Sequence, residues 1–367
     1  MGKKAKLGVI GCGDLTTGDR FGHLKYIAEL HHGGYLELAA VCDIAENRAR
    51  FAGERFHVPY YTDLEKMLST DLDCVYIATP DYTHHSVCKM AAEHGKHFIV
   101  EKPMAISLPC CDIIINAAKK AGVHFEVAEN YFRTPFERVM KMAILQGIIG
   151  EVIRVYVIPS ELPIQHVNAT RDLVWLVSGR ASLVDMGSHQ MSQLRNFAGG
   201  NPSTVRGVVK RGKTGWFEWG AAWVDFDNEV LGFTEVGDGA AETPYRKILG
   251  AKGSIYSFGI FAGTSDMGGY MRILFPEAEF GKYKELPIIR QTRHVGDKWY
   301  LDSITVETEP KIVYKNPYPC VSGDWGIGVA EEIMSIANAA VNDVPPEYGA
   351  EGRKDVEMVI AMIESGV

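Results

Sequence analysis

The chain has 367 residues, of which 46% are hydrophobic and 23% charged, and its formal net charge is -8 at pH 7. This length and composition are typical of a soluble globular protein with two domains, and they argue against disorder. The net negative charge argues against a nucleic-acid partner, because neutralising phosphates requires an extended basic face.

The seven cysteines are scattered, and most lie inside apolar patterns such as residues 73–77, DCVYI. We interpret them as reduced core residues. Neighbouring pairs such as Cys110-Cys111 and His84-His85 lack the spacing of zinc ligands, so the sequence predicts no metal site. No apolar run approaches the roughly 18 residues of a membrane span, and no signal segment is visible. We therefore expect a cytoplasmic protein without a membrane partner.

From residue 6 to about 128, short apolar runs alternate with helical patterns, which is typical of repeated βαβ units and a parallel sheet. The predicted strands are Lys6 to Ile10, Leu36 to Cys42, Tyr60 to Tyr61, Cys74 to Ile77, His97 to Val100 and His124 to Val127. The predicted helices are Phe21 to His31, Ala45 to Phe56, His84 to His94 and Cys110 to Ala121. The pattern predicts an α/β fold whose residues 1–128 form a Rossmann domain.

Residues 129–367 show a different pattern, which predicts an α+β domain with a large, mostly antiparallel open sheet. The predicted elements are a helix from Pro135 to Gln146, strands at Glu151 to Ile158, Thr204 to Lys210, Ala221 to Asp227, Val230 to Glu235 and Tyr245 to Leu249, and helices at Val329 to Asn342 and Gly352 to Glu364. Segment 259–319 is poorly periodic, and the sequence assigns it no structure. The C-terminal helices are candidates to pack back on the first domain.

The first strand is followed by Gly11-Cys12-Gly13, the first two glycines of a dinucleotide-binding loop, with Thr16 at the third position. Such glycines allow a tight turn and close approach of the backbone to a diphosphate. The second strand ends at Asp43, where a carboxylate would bind a ribose diol. The alternative for Asp43 is a plain turn residue. Because Asp43 would repel a 2′-phosphate, the sequence favours NAD over NADP.

Two further turns close strands at the same predicted sheet edge. The turn from Thr79 to His84 could line the nicotinamide ribose, or its residues could simply cap the next helix. Glu101-Lys102-Pro103 places an amine where open parallel sheets bind ligands. The alternative is that Lys102 is an ordinary solvated lysine.

A carboxylate and an imidazole are spaced four residues apart at Asp185 and His189, so on a helix both project from one face. Imidazole is suited to proton transfer near neutral pH. The alternative is a surface helix pair. Apolar flanks such as Leu183-Val184 predict a mostly buried helix instead.

The combination resembles the Gfo/Idh/MocA oxidoreductases, the relatives of glucose-fructose oxidoreductase and inositol dehydrogenase. The matching segments are Gly8 to Gly13, Ile77 to Pro80, Gly95 to His97, Glu101 to Pro103, Asp185 with His189, and Gly250 to Gly253. The resemblance implies a catalytic trio of Lys102, Asp185 and His189, with Asn130, Tyr131 and Arg180 near the substrate. It also implies cofactor contacts at Gly11, Gly13, Asp14, Leu15, Asp43, Thr79, Pro80, His84, Glu101 and Lys102. A homodimer or homotetramer formed through the C-terminal sheet is implied as well.

These observations lead to one main hypothesis and two alternatives. The main hypothesis is an NAD-dependent dehydrogenase that acts on a secondary hydroxyl of a sugar, a glycoside (for example at C3) or a cyclitol, with His189 as base and Lys102 polarising the oxygen. The first alternative is a glycosidase or lyase that retains NAD and uses transient oxidation. The second is a non-catalytic NAD-binding sugar sensor. Trp219 and Trp223 could stack on a sugar ring, but we favour a packing role in the sheet.

Overall fold

The computed structural model describes residues 3–19, 22–158, 181–211, 217–237, 245–258, 270–279 and 281–367. The chain divides into two compact units. The first contains Met1–Arg133, Tyr318–Ser322 and Gly326–Lys354, and the second contains Thr134–Pro317, Gly323–Trp325 and Asp355–Val367.

The described part of the first unit is built on a six-stranded parallel sheet in the order β3-β2-β1-β4-β5-β6. Its strands are β1 (Lys6–Ile10), β2 (Glu37–Cys42), β3 (Tyr60–Tyr61), β4 (Cys74–Ile77), β5 (His97–Glu101) and β6 (Phe125–Ala128). This order is that of the doubly wound dinucleotide-binding fold, in which ligands bind beyond the carboxyl ends of the strands where the order reverses. The predicted Rossmann fold is confirmed.

Short helices connect these strands. They are α1 (Asp14–Thr17), α2 (His23–His32), α3 (Glu46–Phe56), α4 (Leu64–Leu68), α5 (His84–Glu93) and α6 (Leu108–Ala121). Gly122 ends α6 with φ +67°, a left-handed conformation that favours glycine. Buried apolar runs such as the fully buried β4 form the core, because a parallel sheet is covered on both faces.

In the described residues of the second unit, eight strands form a mixed sheet in the order β14-β13-β12-β11-β7-β10-β9-β8, in which β7 and β10 are parallel and the other pairs antiparallel. The strands are β7 (Val152–Ile158), β8 (Pro202–Arg211), β9 (Phe217–Phe226), β10 (Leu231–Gly237), β11 (Tyr245–Gly250), β12 (Ser254–Phe258), β13 (Tyr270–Pro276) and β14 (Tyr283–Glu285). The mostly antiparallel open sheet is therefore confirmed.

Helices α7 (Pro135–Leu145) and α8 (Ala181–Ala198) precede the larger part of this sheet in the chain, and α8 packs against β7, β9 and β10. A small antiparallel sheet follows, formed by β15 (Ile288–Val295), β16 (Lys298–Val306) and β17 (Ile312–Lys315). Much of segment 259–319, to which the sequence assigned no structure, is thus β-strand, while residues 259–269 and 280 lie outside the described residues.

The last two helices are α9 (Gly323–Asn342) and α10 (Gly352–Ser365). Most of α9 belongs to the first unit, and most of α10 belongs to the second. Among the helices of the described ranges, none is long and apolar enough to cross a membrane.

Candidate functional site

The turn after β1 depends on the absence of a side chain at Gly11. This residue has φ +98°, and its N–H donates to the carbonyl of Cys42 over 2.8 Å. A Cβ at this position would lie only 2.3 Å from the backbone oxygen of Ala78. At Gly13, by contrast, no atom lies within 4 Å of the position a Cβ would take. The loop is therefore tightly packed at Gly11, against the backbone of Ala78, and open at Gly13. A cradle for a diphosphate requires this combination.

Thr16 takes the place of the expected third glycine and has a specific use. Its side chain is buried, and its hydroxyl oxygen lies 2.9 Å from the carbonyl oxygens of both Gly11 and Gly13. The hydroxyl proton thus ties the end of the loop back to its start. The loop opens into the single turn of α1, so the backbone of the loop itself, not a long helix, would receive the diphosphate.

Asp43 lies at the end of β2, directly beside this loop. One carboxylate oxygen accepts the N–H of Cys12 and the other accepts the N–H of Ala45, both over 2.8 Å. A carboxylate fixed at this edge is the group that a ribose diol requires. Burial, with the charge of Asp43 as a second cause, raises the pKa of the Cys12 thiol to about 12, so Cys12 stays a thiol. The glycine loop and Asp43 together fit an adenine dinucleotide.

His84 links the turns that follow β4 and β5. Its Nε2 lies 2.9 Å from the carbonyl oxygen of Thr79, and its Nδ1 lies 3.0 Å from the carbonyl oxygen of Pro103. Both ring nitrogens face protein backbone, and the residue is 1% exposed. The ring therefore holds the two turns together, and a contact of His84 with the cofactor stays a prediction.

Glu101 and Lys102 diverge at the end of β5. The Glu101 carboxylate is buried, accepts the Tyr76 hydroxyl over 2.5 Å, and accepts the backbone N–H of Lys102 over 3.1 Å. It therefore points into the interior, although the sequence placed it among the cofactor contacts. Lys102 is half-buried and follows β5 at the same sheet edge as the glycine loop.

Asp185 and His189 lie one turn apart on α8, as the spacing predicts, and His189 is 4% exposed. The backbone oxygen of His189 accepts the side-chain amide of Gln193 over 3.0 Å. The amide oxygen of Gln193 in turn accepts Arg246 Nε, which also lies 2.9 Å from a carboxylate oxygen of Glu137. This buried chain fixes α8 beside β11, and no local sequence pattern reveals it because its members are distant along the chain.

A close helix contact explains the glycine between the two candidate catalytic residues. A Cβ on Gly187 would lie 2.9 Å from a side-chain carbon of Val359 in α10. Ser188 is also buried, and its hydroxyl donates to the backbone oxygen of Asp185 over 2.9 Å. The predicted buried character of this helix is confirmed.

The remaining predicted site residues are distributed as follows. Asp14 and Pro80 are exposed, Leu15 and Thr79 are half-buried, and Asn130 and Tyr131 are buried just after β6. Arg180 lies outside the described residues. Trp223 packs against Phe233 in the sheet with a centroid distance of 4.6 Å, as the packing interpretation predicts.

Comparison with known proteins gives relatives for this architecture. The chain is 33% identical to D-apiose dehydrogenase of Paraburkholderia graminis over 150 residues, which are 40% of this chain and 38% of that protein. It is 34% identical to glycosyl hydrolase family 109 protein 3 of Phocaeicola vulgatus over 131 residues, which are 32% of this chain and 24% of that protein. The matches thus span less than half the length of these curated relatives.

Among solved structures, an NAD binding oxidoreductase from Klebsiella pneumoniae superposes with a TM-score of 0.77 at 18% identity, covering 99% of this chain and 97% of the other. Residues 5–129 match the model of the oxidoreductase family with an NAD-binding Rossmann fold, and residues 138–256 match that of the GFO/IDH/MocA C-terminal domain. With both domains matched in order, the chain belongs to the Gfo/Idh/MocA family of oxidoreductases, and its first domain is an NAD-binding Rossmann domain.

Proposed function

We propose that this protein is an NAD-dependent dehydrogenase that oxidises a secondary hydroxyl of a sugar, a glycoside or a cyclitol. The observation that carries the proposal is the position of Lys102, which follows β5 at the same carboxyl edge of the sheet as the glycine loop and Asp43. An ammonium group at the ligand-binding edge of a dinucleotide fold is suited to polarise a substrate oxygen.

Each residue of the trio has a distinct task in this proposal. His189 removes the proton of the substrate hydroxyl, because a neutral imidazole is the side-chain base that works near neutral pH. Lys102 donates a hydrogen bond to the same oxygen as negative charge develops on it. Asp185 orients the polar groups around His189. When bound, NAD supplies the acceptor for the hydride that leaves the carbinol carbon.

The substrate class rests on similarity. The matched part of D-apiose dehydrogenase supports a sugar, and the family resemblance leaves inositols and the C3 position of glycosides as further candidates. Purified protein should be screened with NAD against monosaccharides, glycosides and inositols, with NADH followed by absorbance and products identified by mass. A sugar-dependent gain of NADH with an oxidised product supports the proposal.

Two substitutions test the residue roles. Lys102→Met and His189→Asn should each lower kcat by about 10² to 10⁴ while leaving the thermal midpoint close to wild type. The matched controls are Lys89→Met, at an exposed lysine on α5, and His94→Asn, whose Nδ1 lies 2.9 Å from the backbone oxygen of Met90 on the same helix. Full turnover in both test variants would refute the proposed roles.

A second candidate is a glycosidase that retains NAD, and the similarity to a glycosyl hydrolase of family 109 favours it. In such a reaction, oxidation at one carbon acidifies the neighbouring C–H, the glycosidic bond breaks by elimination, and water addition and reduction complete the cycle. This candidate predicts release of free sugar without net NADH. A non-catalytic sensor instead predicts NADH binding and no reaction with any sugar tested.

We also propose that the sheet of the second unit mediates a homodimer or homotetramer. One helix, α8, packs against β7, β9 and β10. The same strands carry a cluster of aromatic rings, Tyr156, Trp223 and Phe233, in which Trp223 is 40% exposed. A partly exposed aromatic cluster of this kind is typical of a protein interface. The cytoplasmic location stays a prediction.

A further inference from the structure

Behind Lys102, four polar side chains from separate elements meet inside the first unit. They are His23 of α2, Tyr76 of β4, Glu101 of β5 and Glu332 of α9, and none is more than 4% exposed. Potential ligand atoms of His23, Glu101 and Glu332 all lie within 4.8 Å of one another. The reaction proposed above uses none of these four groups directly.

Two hydrogen bonds of Tyr76 show which neighbouring atoms in this cluster donate a proton and which accept one. The Tyr76 hydroxyl donates to Oε1 of Glu101 over 2.5 Å, so its oxygen is left to accept from His23 Nδ1, also at 2.5 Å. Burial, and secondarily the charge of Lys102, lowers the pKa of His23 to about 3, so the imidazole is neutral. Glu101 therefore receives a hydrogen bond from a neutral donor on this side. Burial raises the pKa of Glu101 to about 7, while the Tyr76 hydroxyl and the charge of Lys102 favour its ionised form.

Glu332 is in a different position. It is fully buried, no N–H or O–H donor among the described residues bonds either carboxylate oxygen, and one of these oxygens lies within 4.8 Å of a Glu101 oxygen. Burial first, and the charge of Glu101 second, raise its pKa well above the ordinary carboxyl value. An ionised Glu332 would be a second anion beside Glu101 without a donor, which low-polarity surroundings strongly disfavour.

The surrounding charges do not compensate for a second anion. The groups that face the cluster are Lys102, the Arg133 guanidinium, the carboxyl groups of Glu126 and Glu129, His23 and Tyr76. Arg133 is already paired with Glu126 and with Glu347. The carboxyl groups thus outnumber the cations, and burial favours the neutral form of at least one of them.

We propose that Glu332 is a positioning residue that stays protonated at neutral pH, donates its proton to the Glu101 carboxylate, and thereby keeps a single negative charge behind Lys102. The proposal rests on the function proposed for Lys102. A divalent cation is the competing occupant, but the Tyr76 hydroxyl already bonds Nδ1 of His23 and Oε1 of Glu101, two of the atoms that such an ion would need.

Infrared spectroscopy tests the proton directly. A wild-type minus Glu332→Gln difference spectrum at pH 7.5 to 8, where roughly all ordinary carboxyl groups are ionised, should show the C=O stretch of a protonated carboxylic acid. Glu347→Gln, which changes a half-exposed partner of Arg133, is the control and should leave the band in place. Absence of the band, or a stoichiometric divalent metal that Glu332→Gln removes, would overturn the proposal.

The pH dependence of turnover tests the effect on Lys102. Glu332→Gln keeps the shape and a donor, so its profile of kcat/KM against pH should match wild type. Glu332→Leu removes the donor and should move the acid limb upward by about one unit, because the Glu101 carboxylate is less stabilised. Matching profiles in both variants would mean a merely structural residue and would contradict the proposal.

The pH dependence of stability gives a further test. Glu332 is protonated in the folded protein and ionised in the unfolded chain, so wild type should lose stability relative to Glu332→Gln as pH rises above the ordinary carboxyl range. This comparison does not need Glu332→Leu to fold. The infrared band and this stability trend would persist even if Lys102→Met were fully active, which separates failure of this inference from failure of the proposed function.

Discussion

The Asp43 carboxylate accepts the backbone N–H of Cys12 over 2.8 Å and so joins the end of β2 to the glycine loop that follows β1. The same carboxylate also accepts the N–H of Ala45. The Asp43 side chain thus fixes the shape of the loop and lies where a ribose would bind. A change at Asp43 should therefore affect both the loop conformation and cofactor binding.

Asp43→Asn should therefore weaken NADH binding. The amide offers a single acceptor oxygen where the structure uses two, and a hydrogen bond to a charged group contributes about 1.5–3 kcal/mol, so Kd should rise roughly ten- to hundredfold. Fluorescence titration with NADH measures the change. Asp71→Asn weakens an exposed ion pair with Lys6 at the start of β1, the opposite end of that strand from the glycine loop, and should leave NADH affinity unaltered. Equal affinities in Asp43→Asn and wild type would contradict the assignment of Asp43.

The two glycines of the loop should respond differently to alanine. Gly11→Ala forces a Cβ to within 2.3 Å of the backbone oxygen of Ala78 at φ +98°, so we expect a lower thermal midpoint together with loss of NADH binding. Gly13→Ala meets no protein atom within 4 Å, so the midpoint should stay near that of wild type while NADH affinity falls. Normal NADH binding by Gly13→Ala would show that the open space beside Gly13 does not hold the diphosphate.

The sequence predicted the Rossmann domain well because each of its strands is a short apolar run between glycines or helical segments. The sequence did not predict the strands after residue 259, and the reason is physical. Strand β15 is almost entirely exposed, so it has no buried face to produce an alternating pattern. Its position is set by pairing with β16, a contact that composition does not reveal.

The candidate site was likewise predictable only in part. The glycine loop and Asp43 follow from local sequence, because each depends on residue type at the end of a strand. The inward orientations of His84 and Glu101 depend on partners elsewhere in the chain, namely Pro103 and Tyr76. Only a structure can show that a polar residue beside a ligand-binding edge forms hydrogen bonds to buried protein groups.

Asp324 should make the stability of the second unit depend on pH. Burial raises its pKa from 3.8 to about 6, although the paired Arg290 guanidinium, 2.5 Å away, acts in the opposite direction. The folded protein therefore holds a proton that the unfolded chain releases, and this contribution to stability is lost as pH rises from about 4 to about 6.

Asp324→Asn lacks this titration, so its free energy of unfolding relative to wild type should increase by about 2 kcal/mol between pH 4 and pH 7. Urea unfolding at several pH values measures the difference. The exposed Arg293–Asp302 pair provides the control, since Asp302→Asn should change stability by less than about 1 kcal/mol at each pH. A constant difference between Asp324→Asn and wild type across this range would contradict the prediction.

Trp223 tests the proposed assembly. The indole is 40% exposed yet packs against Phe233 and Tyr156, so Trp223→Ser removes a large apolar surface from the sheet without emptying the core. Tryptophans at the centre of an interface often contribute about 2 kcal/mol or more, which is roughly a thirtyfold change in the dissociation constant. Sedimentation velocity over a range of protein concentrations should show an oligomeric wild type and a weakened Trp223→Ser variant.

Leu145→Ser is the matched control, because Leu145 is 73% exposed at the end of α7 and is not part of the sheet. It should sediment as wild type does. The proposed interface is wrong if wild type is monomeric at every concentration, or if Trp223→Ser assembles as tightly as Leu145→Ser. Because both substitutions lie in the second unit, outside the NAD-binding domain, NADH affinity should be the same in both variants, so that a loss of assembly can be separated from a loss of cofactor binding.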